Sequence, residues 1–229
     1  MITAGIDIGS MSANAAIMEF ENKDDRGKVL GYSIIPTGWN SAETAKKCMD
    51  VALKVVGLKL DEIEYIVSTG YGRVIVPFAN KNITEISCHA KGAHWRFPTV
   101  HTVLDMGGQD CKVITCDDTG KVTSFVMNDK CAAGTGRFLE VISEALGLRV
   151  EDIGPLSLKS QKVIKISNVC TVFAEQEVVS KLAEGAALED ILAGLHDAIA
   201  SRLNAMFARL KMQGDIVVTG GGALNTGLL

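Results

Sequence analysis

The same pattern of apolar and polar residues occurs twice along the chain. Thr3–Ser10 and Thr102–Gln109 each combine a hydrophobic stretch with an aspartate, one further residue, and then glycine followed by serine or glycine. A second apolar stretch follows each copy, at Ala13–Phe20 and at Lys112–Cys116, as expected for a β-hairpin whose turn consists of small residues. The repetition predicts that the protein contains a duplicated half.

Helical and strand patterns fill the remainder of both halves. Apolar residues recur at helical spacing in several segments, and two short apolar runs have the composition of strands. Strands that alternate with helices are typical of an α/β fold, and we expect two similar lobes, 1–98 and 99–229, that face each other across a cleft. The predicted helices are Ala42–Val56 with Ser41 as its cap, Thr84–His94, Gly134–Leu146, Val172–Leu182 and Leu188–Lys211, and the predicted strands are Glu62–Ser68 and Ile216–Thr219.

Composition and charge narrow the class of protein. Of the 229 residues, 47% are hydrophobic and 22% are charged, which excludes a disordered chain. The net charge is −4 and the longest basic run is Lys46-Lys47, so we expect neither nucleic acid nor a membrane as partner. The first residues lack the cationic region of a signal peptide, and no apolar run is long enough to cross a bilayer. We therefore expect a cytoplasmic protein.

Three glycine-containing turns suit the binding of phosphate. Asp7 and Asp105 each end a predicted strand beside glycine, where a carboxylate suits hydrated Mg²⁺ and backbone N–H groups can approach phosphate closely. With a third glycine cluster at Val218–Asn225, and no GxxxxGK[ST] motif, the sequence resembles the acetate kinase, sugar kinase, Hsp70 and actin superfamily. The resemblance implies two ribonuclease H-like α/β lobes around a nucleotide cleft. The implied phosphate loops are Gly5–Asn14 and Asp105–Asp110, and the implied adenosine loop is Gly220–Asn225.

The resemblance also implies roles for individual residues. Asp7 and Asp105 would organise Mg²⁺ and the attacking water, since phosphoryl transfer depends on positioning and charge neutralisation. Gln109 would orient that water, and a purely structural hydrogen bond is the equal alternative for its side chain. The residues implied to contact ATP or ADP are Gly9, Ser10, Met11, Ser12, Ala13, Asn14, Gly107, Gly108, Gly134, Thr135, Gly136, Gly220, Gly221, Gly222 and Asn225.

Two cysteines have a setting that suits an iron–sulfur cluster. The six cysteines include no CxxC pair, so a compact zinc site is unsupported. Cys131 and Cys170 each lie directly before a predicted helix, whose N-terminus favours a thiolate and an anionic ligand. A [4Fe–4S] cluster usually takes four thiolates, and two per chain suffice if two chains share the cluster across a twofold axis. The cysteines predicted to be structural are Cys48, Cys88, Cys111 and Cys116.

Four segments point to one family within the superfamily. Asn128–Glu140, Ser167–Glu177, Glu85–Ala90 and Leu104–Asp110 closely resemble the ATP-dependent activators of 2-hydroxyacyl-CoA dehydratases and the related ATP-binding subunits of benzoyl-CoA reductase. The resemblance extends over essentially the whole chain. It implies an ATPase that couples hydrolysis to the transfer of a low-potential electron.

The family resemblance implies a homodimer in which Cys131 and Cys170 of both subunits hold one [4Fe–4S] cluster. ATP binding and hydrolysis would change the angle between the two helices that meet the cluster, which drives an electron into the partner dehydratase. Many members have lysine where Asn14 stands and threonine where Met11 stands. Members also continue beyond the adenosine loop, so we expect that the sequence, which ends at Leu229, stops short of the family's last elements.

Two other functions fit parts of the same sequence. One is an ATP-binding subunit of benzoyl-CoA reductase, working in a stable heteromeric complex. The other is a sugar or acyl kinase of the same fold, which would phosphorylate a small molecule without iron. Copurification in a fixed ratio would favour the first, and an anaerobic iron analysis separates the redox proteins from the kinase.

Overall fold

The first sheet is organised around its central strand β1 (Ile2–Ile8). This strand pairs antiparallel with β2 (Ser12–Glu19) and parallel with β4 (Tyr65–Thr69). The outer strands are β3 (Lys28–Pro36) and β5 (Lys81–Asn82), which gives the order β3-β2-β1-β4-β5. The computed structural model describes residues 1–22, 25–167, 170–212 and 214–229, so Asn168 and Val169 of the second cysteine segment lie outside the described residues.

One amphipathic helix, α1 (Ser41–Val56), packs on this first sheet. Its N-cap is Asn40 and not the predicted Ser41, because the Asn40 side chain accepts a hydrogen bond from the Glu43 N–H at 3.2 Å. The helix ends at Gly57, whose φ of 73° is left-handed. The apolar face of α1 and the inner face of the strands form the first core, which includes Ile6, Ile8, Ile17, Ala45, Cys48, Met49, Ala52 and Ile66.

The second sheet repeats the first. β6 (Val100–Met106) pairs antiparallel with β7 (Cys111–Cys116) and parallel with β9 (Asp215–Thr219), and β8 (Val122–Asn128) lies beside β7. The order β8-β7-β6-β9 therefore matches β3-β2-β1-β4 strand for strand. The predicted duplication and the predicted α/β class are confirmed.

Helices cover the second sheet and bury its core. They are α3 (Gly136–Ala145), α4 (Val150–Ser157), α5 (Thr171–Ala183) and α6 (Leu188–Phe207), and a further helix, α2 (Glu85–Arg96), precedes β6 along the chain. The core includes Met106, Val113, Phe138, Ile142, Ile153, Ala174, Ile191, Leu195 and Ile199. The predicted helices agree with these bounds to within a few residues, whereas α4, β3, β5 and β8 are additional to the prediction.

The chain divides into two units, Met1–Cys88 and His89–Leu229. The division falls within α2, a little before the boundary that we predict near Pro98. Among the described residues, the search for a helix with the length and apolar character of a bilayer-crossing segment finds none.

Candidate functional site

Asp7 lies at the carboxyl end of β1, between two polar cross-strand neighbours. Asn14 faces it on β2 and Thr69 faces it on β4. The Asn14 side-chain amide donates a hydrogen bond to Oδ2 of Asp7 at 3.2 Å. As a whole residue, Asp7 is half-buried.

The turn after β1 is short and held by hydrogen bonds. The Gly9 N–H donates to the Ser12 carbonyl at 3.0 Å, and the Thr37 hydroxyl donates to the Gly9 carbonyl at 2.9 Å. A Cβ atom on Gly9 would lie 2.9 Å from that same Ser12 oxygen, so this position requires glycine. Of the residues predicted to contact phosphate, Gly9, Ser10 and Met11 lie in the turn, whereas Ser12, Ala13 and Asn14 lie in β2 and the Ala13 side chain is fully buried.

Asp105 occupies the matching position in the second sheet, with different neighbours. Its cross-strand partners are Lys112 on β7 and Thr219 on β9. Oδ2 lies 3.4 Å from Lys112 Nζ and 3.5 Å from His89 Nε2, while the Thr219 hydroxyl donates to Oδ1 at 3.4 Å. Asp105 is 3% exposed, so its carboxylate is buried among Lys112, His89 and Thr219. Asp105 therefore shares Lys112 with Asp110, which lies closer to the ammonium group at 2.7 Å.

The loop after β6 places Gly107 and Gly108 ahead of a buried ion pair. Asp110 lies 2.7 Å from Lys112 Nζ, and both side chains are buried. A Cβ atom on Gly107 would lie 2.7 Å from Oδ1 of Asp110, so the loop closes tightly over this pair. Gln109 is exposed, which leaves its side chain free to point toward a ligand.

Asp7 and Asp105 each lie against a glycine that follows a neighbouring strand and has a left-handed backbone conformation. Gly70 follows β4 with φ of 83° and Gly220 follows β9 with φ of 80°. A Cβ atom on Gly70 would collide with Oδ1 of Asp7, and one on Gly220 would lie 2.9 Å from Oδ1 of Asp105. The duplication thus extends to the glycine that leaves room for each carboxylate.

The predicted adenosine loop begins at Gly220 and continues as a short 3₁₀ turn, Gly221–Leu224. Gly222 is buried within it. Asn225 is 9% exposed, and its side chain binds protein groups: its amide donates to His196 Nε2 at 3.0 Å, and its Oδ1 accepts from the Gly227 N–H at 3.0 Å. In this structure the Asn225 side chain therefore fixes the end of the loop.

The first turn of α3 is attached to the loop after β6. The Gly136 N–H donates to the Gly107 carbonyl at 3.0 Å, and the Arg137 N–H donates to the Gly108 carbonyl at 2.7 Å. A Cβ atom on Gly136 would lie 3.2 Å from the Gly107 oxygen, which explains why a glycine stands at the contact. Of the three residues predicted here to contact nucleotide, Gly136 lies directly beside the candidate phosphate loop, whereas Gly134 lies against Arg202 and Thr135 bonds to Ala132.

The two candidate cluster cysteines have different settings. Cys170 is the N-cap of α5, as expected, and its thiol makes no capping hydrogen bond. The sequence predicts that Cys131 also lies directly before a helix, and the structure differs from this prediction. Ala132–Thr135 separate it from α3, because Thr135 is the N-cap of that helix. Both cysteines are half-buried.

The other cysteines are poor thiolates. Cys48, Cys111 and Cys116 are buried in the two cores, and Cys88 is half-buried on α2. Burial raises the pKa of the Cys48, Cys88 and Cys116 thiols, and it raises the pKa of Cys111 to about 11. Metal ligation needs a deprotonated sulfur, so the donor chemistry favours Cys131 and Cys170 as the pair that could hold iron.

A search of the described residues for three or more acidic, cysteine or histidine side chains grouped around one point finds no such set. Mg²⁺ that arrives with a nucleotide is usually held by one or two carboxylates, the phosphates and water, so it needs no such group. Asp7 is half-buried, whereas Asp105 is buried and its oxygens face Lys112, His89 and Thr219.

Sequence reasoning missed these partners of Asp105. The sequence contained a signal for two of them. When the repeated strands are aligned, Lys112 is equivalent to Asn14, and Thr219-Gly220 is equivalent to Thr69-Gly70. His89 has no counterpart in such an alignment, because it reaches Asp105 from α2.

Comparisons with known proteins show which family the chain belongs to. The sequence model of the BadF/BadG/BcrA/BcrD ATPase family matches residues 4–229. The chain belongs to this family. Among its relatives, the activator of lactoyl-CoA dehydratase from Anaerotignum propionicum is 43% identical over 100% of this chain and 86% of its own length. The expected ATPase is thereby confirmed.

Two solved structures share the fold of this chain. Component A of (R)-2-hydroxyglutaryl-CoA dehydratase from Acidaminococcus fermentans has a TM-score of 0.93 at 41% identity, over 100% of this chain and 86% of that one. The activator of 2-hydroxyisocaproyl-CoA dehydratase from Clostridium difficile, with bound ADPNP, has a TM-score of 0.91 at 39% identity, over 100% and 83%. The predicted resemblance to dehydratase activators is confirmed.

Proposed function

We propose that this protein is an ATP-hydrolysing iron–sulfur electron donor that activates a 2-hydroxyacyl-CoA dehydratase in the cytoplasm. The observation that carries the proposal is the similarity, along the whole chain, to proteins named as dehydratase activators. The setting of Cys131 and Cys170 supports it, because both are half-buried, whereas Cys48, Cys111 and Cys116 are buried.

The nucleotide chemistry rests on Asp7 and Asp105. When bound, Mg²⁺ would offset the negative charge of the phosphates. Asp7 is the residue to hold its hydration shell, and Asp105, fixed by Lys112 and Thr219, is the residue to orient the attacking water together with Gln109. The turns at Ser10–Met11 and Gly107–Gly108, and the loop from Gly220 to Gly222, would supply backbone N–H groups to ATP or ADP.

The electron-transfer chemistry rests on two thiolates per chain. A [4Fe–4S] cluster supplies one-electron redox chemistry and takes four thiolates, so two copies of Cys131 and Cys170 would hold one cluster in a homodimer. The electron acceptor would be the dehydratase component.

The test measures iron, sulfide and oligomeric state under anaerobic conditions. Cys131→Ser and Cys170→Ser should each lose the absorption near about 400 nm that is typical of thiolate-bound clusters and shift the dimer toward monomer. Cys88→Ser is the matched control, because Cys88 is also half-buried, and it should keep both properties. Full iron in either of the first two variants would overturn the ligand assignment, and a fixed-ratio heteromeric complex would point to a benzoyl-CoA reductase subunit.

A further inference from the structure

Side-chain donors from Asn128 and Thr135 hold the loop that carries Cys131. Asn128, the last residue of β8, donates from Nδ2 to the carbonyl of Cys131 at 2.9 Å and to the carbonyl of Ala133 at 3.4 Å. The Thr135 hydroxyl donates to the intervening carbonyl of Ala132 at 2.7 Å. Three successive carbonyls of the loop therefore have donors, which fixes the backbone at the cysteine.

An arginine on α6 sets the direction of that amide. Arg202 Nη2 donates to Oδ1 of Asn128 at 3.2 Å. Because a guanidinium has only donors, it faces the amide oxygen and turns both N–H bonds of Asn128 toward the loop. The arginine also packs along the loop, since a Cβ atom on Gly134 would lie 3.0 Å from Arg202 Cδ.

The Arg202 side chain is half-buried. Its Nε is buried and has no hydrogen-bond partner within the described part of the chain. Burying an unpartnered donor is unfavourable, and such positions persist where another contact of the same side chain is needed. Here that contact is the one with Asn128.

We propose that Arg202, acting through Asn128, is a positioning residue that holds Cys131 in the geometry required to bind the cluster. The proposal rests on the proposed function, in which Cys131 is a ligand. The positioning itself is a property of the chain alone and can be measured without iron.

The test is the rate at which iodoacetamide alkylates Cys131 in the full-length protein after iron is removed by a chelator, read by mass spectrometry. Arg202→Met and Asn128→Asp should each raise this rate by about fivefold, as expected when a hydrogen bond that closes the loop is lost. Arg202→Lys retains one donor and should give an intermediate rate. Cys170 in the same sample should react at the wild-type rate, which separates loosening of this loop from general unfolding.

Arg209→Met is the control, because Arg209 is an exposed arginine just beyond the end of α6 and its loss removes the same charge. It should leave the Cys131 rate unchanged. A wild-type Cys131 rate in both Arg202→Met and Asn128→Asp would overturn the proposal. If the wild-type protein holds no iron but the two variants still expose Cys131, the positioning role stands and the cluster assignment fails.

Discussion

His196 shows how one buried residue can make the stability of this protein depend on pH. It lies on α6 with 5% exposure, and its Nε2 accepts a hydrogen bond from Asn225. Its Nδ1 has no partner among the described residues, and burial lowers the pKa of the ring to about 4. Because burial disfavours the charged form of the imidazole, the ring stays neutral in the native state.

The first prediction concerns the stability that this ring contributes. Since the folded pKa lies below the unfolded value of about 6.5, the unfolded state binds more protons, and the contribution is present above about pH 6.5 and is lost toward pH 4. We expect the free energy of unfolding to be about 2 kcal/mol lower at pH 5 than at pH 7 on account of His196. His196→Gln should retain the acceptor for Asn225 and remove most of this difference in urea titrations at the two pH values. An unchanged difference would show that His196 does not protonate on unfolding.

At the same scale, residues were predictable from sequence where their role is local. Asp7 and Asp105 could be selected as candidate site residues because each ends an apolar run beside glycine. His89 could not, because its contact with Asp105 joins a helix to a strand and leaves no trace in the spacing of residues. The buried Lys112 looked like an ordinary strand residue until the fold placed it between Asp105 and Asp110.

At the scale of elements, the strands that the sequence predicts are those with an apolar pattern of their own, and the strands that it misses depend on their neighbours. β1, β6 and β7 carry their own apolar pattern, and all six residues of β7 are buried. β8 is an edge strand with a largely exposed pattern, so its pairing with β7 specifies it more than its own sequence does. Helix α4 was missed because it contains Gly154 and Pro155, which favour a break in sequence-based reasoning.

The strand-to-loop transition after β9 gives the second prediction. Gly220 has φ of 80° and ψ of 179°, a conformation almost restricted to glycine, and a Cβ atom there would also collide with the Met106 carbonyl. Gly220→Ala should lower the free energy of unfolding by about 2 kcal/mol or more and weaken ADP binding, as measured by urea titration and calorimetry. Gly221→Ala is the control, because a Cβ atom there meets nothing within 4 Å. Equal stability of the two variants would contradict the argument.

At the scale of the whole molecule, the two halves agree in their sheets and differ in what connects them. Between β3 and β4 the first unit has one α-helix, α1, whereas between β8 and β9 the second unit has α3, α4, α5 and α6. The candidate phosphate residues lie in the shared part. Cys131 and Cys170 both lie in the additional part of the second unit, so the proposed redox chemistry is an addition to a duplicated ATPase fold.

The additional part of the second unit contacts the candidate phosphate loop. The N–H groups of Gly136 and Arg137, at the start of α3, donate hydrogen bonds to the carbonyls of Gly107 and Gly108. A nucleotide that shifts this loop would move α3 and the Cys131 segment before it. The last prediction is that the rate at which a ferrous chelator removes iron differs by at least about threefold between protein with ADP and protein with a non-hydrolysable ATP analogue.

Thermodynamic linkage allows the same coupling between nucleotide and iron to be measured from the nucleotide side. Whatever factor the nucleotide imposes on the equilibrium binding of iron, removal of iron must impose on the binding of nucleotide, because coupling free energies are reciprocal. Calorimetric titration of the iron-loaded and iron-free protein with ADP and with the analogue therefore provides an independent measure. If removal rates are equal with either nucleotide and without one, and both affinities are unaffected by iron, the phosphate loop does not communicate with Cys131.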